Sequence, residues 1–435
     1  MSWSPRNTIP IVGACILASL IIGTLWWKLH SVTTSLTRGS QEMSVQSSPK
    51  KTVSSLLTSV RVSEESALYH LRKGDVFALQ GEWPKAKKEY EEAVRKHGGL
   101  PALRKLAQAE LQQRNIRGVQ NILQQLRQEG AREEDILLLE GVILLRTGEL
   151  EKVQHYINNA SDSPHKSYIL ALLSIIQGKH NQAQEYLQDV TLGWEPILRA
   201  YGSTLQSAYD EYALFPQSPS VHLTTLLSRA LAEAQECELA LPLLAQVVQQ
   251  EAAYRDAWIV QGYCELVTER LPEALASLER AYSLDPQKPE IQYFLGRTYA
   301  ALGNSESALV FYEYALKNGF SPEKEVRIRI AELAQSMQRY EEALTQYTVL
   351  LSQKEATPDL VPFFVQIALQ AHREDEVYLS VENALQKWPD TKDVLVAFSE
   401  IAVRMGKIQE ARKALEKASF MYPNDEKIHQ LLREL

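Results

Sequence analysis

The most restrictive feature of this chain is a spacing. From Val221 onward, comparable segments open at Val221, Arg255, Pro289, Lys324, Pro358 and Lys392, so successive starts differ by 34, 34, 35, 34 and 34 residues. In the segment that opens at Arg255, Trp258 stands at position 4, Gly262 at 8, Ala274 at 20, Leu278 at 24, Ala281 at 27 and Pro286 at 32. The next segment has Gly296 at 8, Ala308 at 20, Tyr312 at 24 and Ala315 at 27. Alanine recurs at position 20 as Ala240, Ala274, Ala308, Ala343 and Ala411, with Val377 in its place once. A chain repeating at this period is built from supersecondary units that bury their apolar faces only by stacking on their neighbours.

The small residues have a physical cause. Two antiparallel helices approach closely only where a small side chain faces the partner, which Gly262, Ala274 and Ala281 supply while Trp258, Leu278 and Tyr282 fill the space beside them. Pro286 cannot continue a helix and disfavours helix in the residue before it, so it ends the second helix and sets the turn; Pro389 and Pro423 recur near the same position. Residues of these classes at these offsets resemble the tetratricopeptide repeat. The first copy departs from that pattern at Gln261 and Glu265, where the family usually carries Leu and Tyr. The resemblance implies an all-α fold, an α-solenoid of antiparallel helix pairs in a right-handed superhelix, and a protein-binding scaffold without catalysis of its own.

Weaker copies precede the firm ones. Residues 64–193 read as an N-terminal degenerate array, with Gly74, Phe77, Ala86, Tyr90 and Ala93 in register in its first unit. Residues 101–133 form a degenerate helix pair, Leu137, Gly141, Val153 and Ile157 mark a third unit, and Ala171, Ala183 and Leu187 a fourth. Residues 194–220 are helical in pattern but off-register, and are expected to be a joint between this array and the C-terminal array at 221–425. Residues 426–435 are expected to cap the open end, because Ile428, Leu431, Leu432 and Leu435 form one apolar stripe on an otherwise polar helix.

Thr8 to Trp27 is a run of 20 residues without a charge, between Arg6 and Lys28. It has about the length needed to cross a bilayer as a helix, and Trp26 and Trp27 suit the interfacial belt. We expect a transmembrane helix at about 8–27 within an N-terminal segment 1–30, with a cleaved secretory signal as the rival, and a flexible linker over 31–63. Arg6 and the amino terminus on one side balance Lys28 and Arg38 on the other, so the side of the soluble body is undetermined. An anchor followed by repeats is similar to the layout of bacterial inner-membrane proteins, which implies that membrane as the location.

Charge separates the two ends. The chain has 46 Lys and Arg against 54 Asp and Glu; residues 1–62 hold six and one of these, leaving 40 against 53, or −13, for the rest. So acidic a body argues against nucleic acid as its partner, since that affinity comes from clustered cations. Cys15, Cys237 and Cys264 have no metal-binding or redox spacing, and no phosphate-binding, nucleophile-elbow or zinc-protease motif occurs. No cofactor, metal, catalytic residue or small-molecule substrate is therefore expected. The tandem carboxylates Glu64-Glu65, Glu133-Glu134 and Glu341-Glu342 are expected near helix N-termini, where they complement the dipole.

The expected site is a groove. In the family, positions 2, 5, 9, 12 and 13 of each first helix face the concave surface, and here they include Arg229, Asp256, Ile259, Tyr263, Tyr293, Arg297, Glu332, Gln366 and Glu400. Ile259, Tyr263 and Tyr293 with Arg229 and Arg297 would form an apolar patch with two cations, the residue types that most often carry interface energy. The other reading is that these aromatics complete packing between repeats. The expected partner is a protein or peptide segment across residues 225–300, with the membrane held through the N-terminal helix. The function read from this is a membrane-anchored scaffold or adaptor in a membrane or envelope complex. The alternatives are an accessory chaperone for nascent or secreted clients, or a regulatory subunit of a membrane enzyme.

Overall fold

The computed structural model describes residues 53–215 and 217–435, with side chains from residue 65 onward, and contains helices and turns without a strand among them. The compact unit is Ser63–Leu435. The helices come in pairs: α1 (Val53–Leu79) with α2 (Trp83–Arg95), α3 (Gly99–Gln112) with α4 (Ile116–Gln128), and α5 (Glu133–Arg146) with α6 (Leu150–Asn158). A fourth pair is α7 (Pro164–Ile176) with α8 (His180–Leu192), and α9 (Pro196–Ala213) stands alone. Then follow α10 (Ser220–Glu233) with α11 (Cys237–Gln250), α12 (Arg255–Val267) with α13 (Leu271–Leu284), and α14 (Pro289–Ala301) with α15 (Ser305–Lys317). The last pairs are α16 (Glu323–Ser336) with α17 (Tyr340–Ser352), α18 (Leu360–Ala371) with α19 (Glu374–Lys387), and α20 (Lys392–Arg404) with α21 (Ile408–Met421), before a final α22 (Glu426–Glu434).

The repeat residues do what their sizes suggest. A Cβ built on Gly262 would lie 2.5 Å from Leu278 Cγ, and one on Gly296 would lie 2.6 Å from Tyr312 Cδ1. Positions 8 and 24 of one unit therefore touch, and no larger residue fits at 8 without displacing the side chain at 24. Ala240, Ala274, Ala308, Ala343 and Ala411 are all fully buried at position 20. Helix α13 ends at Leu284, just ahead of Pro286, and α19 and α21 end ahead of Pro389 and Pro423 in the same way. Ile428 of α22 is 1% exposed, with Leu431, Leu432 and Leu435 packed partly buried on the last repeats.

Two expectations meet a different outcome, and a third falls outside the described residues. The stretch read as a transmembrane helix at about 8–27 lies outside the described residues; among the described residues no helix is long and apolar enough to cross a membrane. Helix α1 begins at Val53, inside the stretch expected to be linker up to residue 63. Val53, Leu56, Leu57 and Val60 form an i, i+3, i+4, i+7 stripe that the Ser- and Thr-rich composition masked. Glu64-Glu65 consequently fall in mid-helix, while Glu133-Glu134 and Glu341-Glu342 do open α5 and α17. Residues 194–220 do not interrupt the core: one hydrophobic cluster runs from Leu103 to Cys264 and passes through Leu198, Leu205, Ala208 and Tyr209 of α9.

Candidate functional site: an open groove beside a filled one

The repeat register places one row of side chains from each first helix on the inner face, and the two halves of the chain treat that row differently. On α5 and α7 it is closed off. Val142 and Leu145 are each 2% exposed, and Tyr168, Leu172 and Ile175 are equally buried. Part of what covers them is α9. Ile197 and Tyr201 join the cluster of Ala78, Trp83, Tyr90 and Ala109 from the first units, the Tyr201 ring lies 6.4 Å from that of Tyr168, and Glu195 meets His165 at 2.8 Å.

The turn between α10 and α11 also reaches α5. Gln235 adopts a left-handed backbone, φ +69, and its carbonyl accepts hydrogen bonds from Arg146 at 3.1 Å and Arg114 at 3.4 Å. Arg146 also donates to the Glu236 carboxylate and to the Leu111 carbonyl, each at 2.8 Å, and Arg114 pairs with Glu238 at 3.0 Å. The side chains of Arg146 and Glu236 are each 2% exposed. Burial works against the Arg146 charge, but Glu236 and Glu238 beside it outweigh burial and hold the guanidinium more firmly protonated than usual.

Sequence reasoning missed this closure, yet a signal was there. Helices α5 and α7 carry apolar runs, Val142 to Leu145 and Tyr168 to Leu173, that extend onto the inner positions. Apolar residues at inner positions are more often covered than left in water.

From α12 onward the inner row is open. Tyr263 on α12 is half-buried, its ring 5.2 Å from that of Phe294. Burial pushes its phenol up to about 12. Arg297 on α14 is half-buried, its guanidinium 5.9 Å from the centre of the Tyr293 ring, and among the described residues it has no carboxylate within 4.0 Å. Glu332, Gln366 and Glu400 continue the row, exposed or half-exposed, with Glu332 taken by Arg329 at 3.1 Å and Glu400 by Lys427 at 3.4 Å.

The five residues singled out from sequence do not form one patch. Tyr263 and Arg297 lie close enough for the cation to act on the phenol. Ile259, 9% exposed, sits behind them in the cluster of Leu278, Ile291 and Leu295. Tyr293 is only 2% exposed; its hydroxyl donates to Glu325 and its ring stacks on Phe320 at 4.2 Å, so it is a packing residue between units and only supports Arg297 from below. Arg229 is exposed but is drawn toward α9 by Glu211, with Glu233 at 3.9 Å. The position rule could not foresee these two cases, since both depend on a partner residue that other parts of the chain bring in.

Fold and groove thus describe a helical repeat scaffold with an inner face available along its C-terminal half. Two family models described as tetratricopeptide repeat match it, one over residues 225–289 and the other over 265–320 and 368–435, which together make up less than half the chain. The C-terminal half therefore carries tetratricopeptide repeats. Superkiller complex protein 3 of mouse and of human is 29% identical over 133 residues, 30% of this chain and 8% of that protein. The DnaJ homolog subfamily C member 7 homolog of Dictyostelium discoideum is 23% identical over 262 residues, 54% of this chain and 46% of that protein. The chain thus spans less than half the length of the curated relatives it matches. Among solved structures, YrrB, a TPR protein, aligns with a TM-score of 0.37 and 16% identity over 44% of this chain and 98% of that one, a likeness too low to argue from.

Proposed function

We propose that this protein is a membrane-anchored scaffold whose open C-terminal groove holds a segment of a partner protein, with Tyr263 and Arg297 as the main contacts. The observation that carries the reading is Arg297, a half-buried guanidinium held over an aromatic ring with no carboxylate of its own. A cation so placed is already partly stripped of water and fixed in direction, so an incoming acceptor gains more there than at a mobile surface arginine. Tyr263 adds a rigid ring and a hydroxyl beside it. The anchor rests on the uncharged run at 8–27, and its use would be to raise the concentration of the bound partner near the bilayer.

The test is capture of partners by the full chain from membranes of its own cells, with crosslinking and mass spectrometry, compared with Y263A/R297A. Each truncation at an interface centre costs about 2 kcal/mol, so recovery of stoichiometric partners should fall more than about tenfold while the helical circular dichroism is unchanged. A folded double variant that retains its partners at full yield would remove the groove assignment. Deletion of residues 8–27 should release the chain from the membrane fraction; a chain still sedimenting with membranes would remove the anchor.

A further inference from the structure

The two hydrogen-bond donors at the head of the open groove have no acceptor in the chain. Neither the Tyr263 hydroxyl nor the Arg297 guanidinium makes a hydrogen bond among the described residues, and Arg297 has no carboxylate within 4.0 Å there. Neither group is sealed away from solvent. Rings hold both in place: Tyr263 lies 5.2 Å from Phe294, Phe294 lies 5.5 Å from Tyr293, and Arg297 stands 5.9 Å over the Tyr293 ring. Burial raises the Tyr263 phenol, and Arg297 is near enough to pull against that rise.

The carboxylates around them are already taken. Glu325 accepts from the Tyr293 hydroxyl, Glu332 is held by Arg329 at 3.1 Å and Glu238 by Arg114 at 3.0 Å. A guanidinium and a phenol that converge without an acceptor leave a seat for one anion, and a carboxylate fills it by accepting from both. With the open groove as the binding face, on which this assignment rests, we propose that the bound partner segment places one acidic side chain, aspartate or glutamate, between Arg297 and Tyr263.

The rest of the row calls for one acid and no more. At position 9 of the units from Val221 onward, the other charged residues, Arg229, Glu332 and Glu400, each have a partner of opposite sign in the chain, and Gln366 is neutral. A segment lying along that position therefore meets one unpaired charge, Arg297, and gains from one opposite charge. The row runs on past Arg297 in both directions, to Arg229 on α10 and to Glu332, Gln366 and Glu400 on α16, α18 and α20. A segment along it passes Arg297 in mid-chain, so it offers a side chain there and not a terminus.

The probe is a synthetic library of short random peptides, acetylated and amidated so that no terminal charge remains, selected on the full chain in detergent. Peptides kept by the parent should be enriched in Asp or Glu at one position; on R297E that position should turn to Lys or Arg, and on R297Q to neither. Changing the acid of a selected peptide to its amide should weaken binding to the parent about tenfold and binding to R297Q less than about twofold. Y263F, which keeps the ring, should weaken the acidic peptide about threefold and leave its amide counterpart unchanged. Peptides lost on Y263A/R297A yet without acidic preference on the parent would keep the groove as a binding face and overturn the acidic assignment alone. Peptides that persist on Y263A/R297A would remove groove and assignment together. An acidic preference unchanged on R297E, or binding that appears only when the peptide carboxyl terminus is left free, would also overturn it, the latter by giving the seat to a chain end.

Discussion

On α5 and α7, Val142 and Leu172 at position 9 are 2% and 0% exposed; at the same position of later units, Arg229, Glu332 and Gln366 are exposed and Tyr263, Arg297 and Glu400 half-buried. The same register thus produces a filled groove in the first half and an open one in the second. The difference lies in what returns to the inner face. Helix α9 and the turn 234–238 fold back over the first half, and apolar inner residues there complete a core. Beyond Tyr263, which still packs against the core of the first half, the inner row of the second half is polar and aromatic. An inner groove is available for partners only where the chain has not used it for its own packing.

The largest effect should come from breaking the seal of the filled half. R146A leaves Glu236 buried without its cation, which costs about 3–5 kcal/mol and should lower the urea midpoint of the full chain accordingly. R146M/E236L, which removes both charges and keeps volume, should recover part of that loss, the Leu111 carbonyl still lacking its donor. An R146A chain as stable as the parent would mean that the closure does not rest on this pair.

A smaller effect should follow pH at the other end of the seal. Burial pushes the Glu195 carboxyl up, but the hydrogen bond and charge of His165 outweigh burial and hold it below its ordinary value of 4.5. Its folded-state value being the lower one, the stability it contributes is complete above pH 4.5 and is lost as pH falls through that lower value. Denaturant midpoints of E195Q should therefore approach those of the parent in acid and fall below them near neutrality. A gap between the two that does not change with pH would place the role of Glu195 in shape alone.

The smallest effect is expected at Arg229. Its pairing with Glu211 and Glu233 is exposed, so R229A should cost about 0–1 kcal/mol and leave partner capture unchanged. Lost capture in R229A with Tyr263 and Arg297 intact would extend the open groove back onto α10 and blur the division between the halves.

Much of the second half is legible in the amino-acid sequence. Gly262 and Gly296 predicted close helix pairs because a contact within one unit is set by residues a fixed distance apart in sequence, and Ile428 was legible as a buried position for the same reason. The helical start at Val53 was also present, as a short stripe hidden in polar composition. The site was legible only in part: position 9 pointed to Tyr263 and Arg297, but position alone could not tell that Tyr293 is spent on Glu325 and Phe320.

By itself, then, the sequence determined the period, the helix pairs, the turns and the absence of charge at 8–27, all of them consequences of interactions between residues near one another in the chain. Tertiary structure alone decided which groove stays open and which contacts cross between units. Arg146 meets Glu236 across 90 residues, and Gly141 faces Ile169 in place of a residue of its own unit. Contacts of that kind depend on how stacked repeats wind back on each other, a sum of many small rotations that no local pattern encodes.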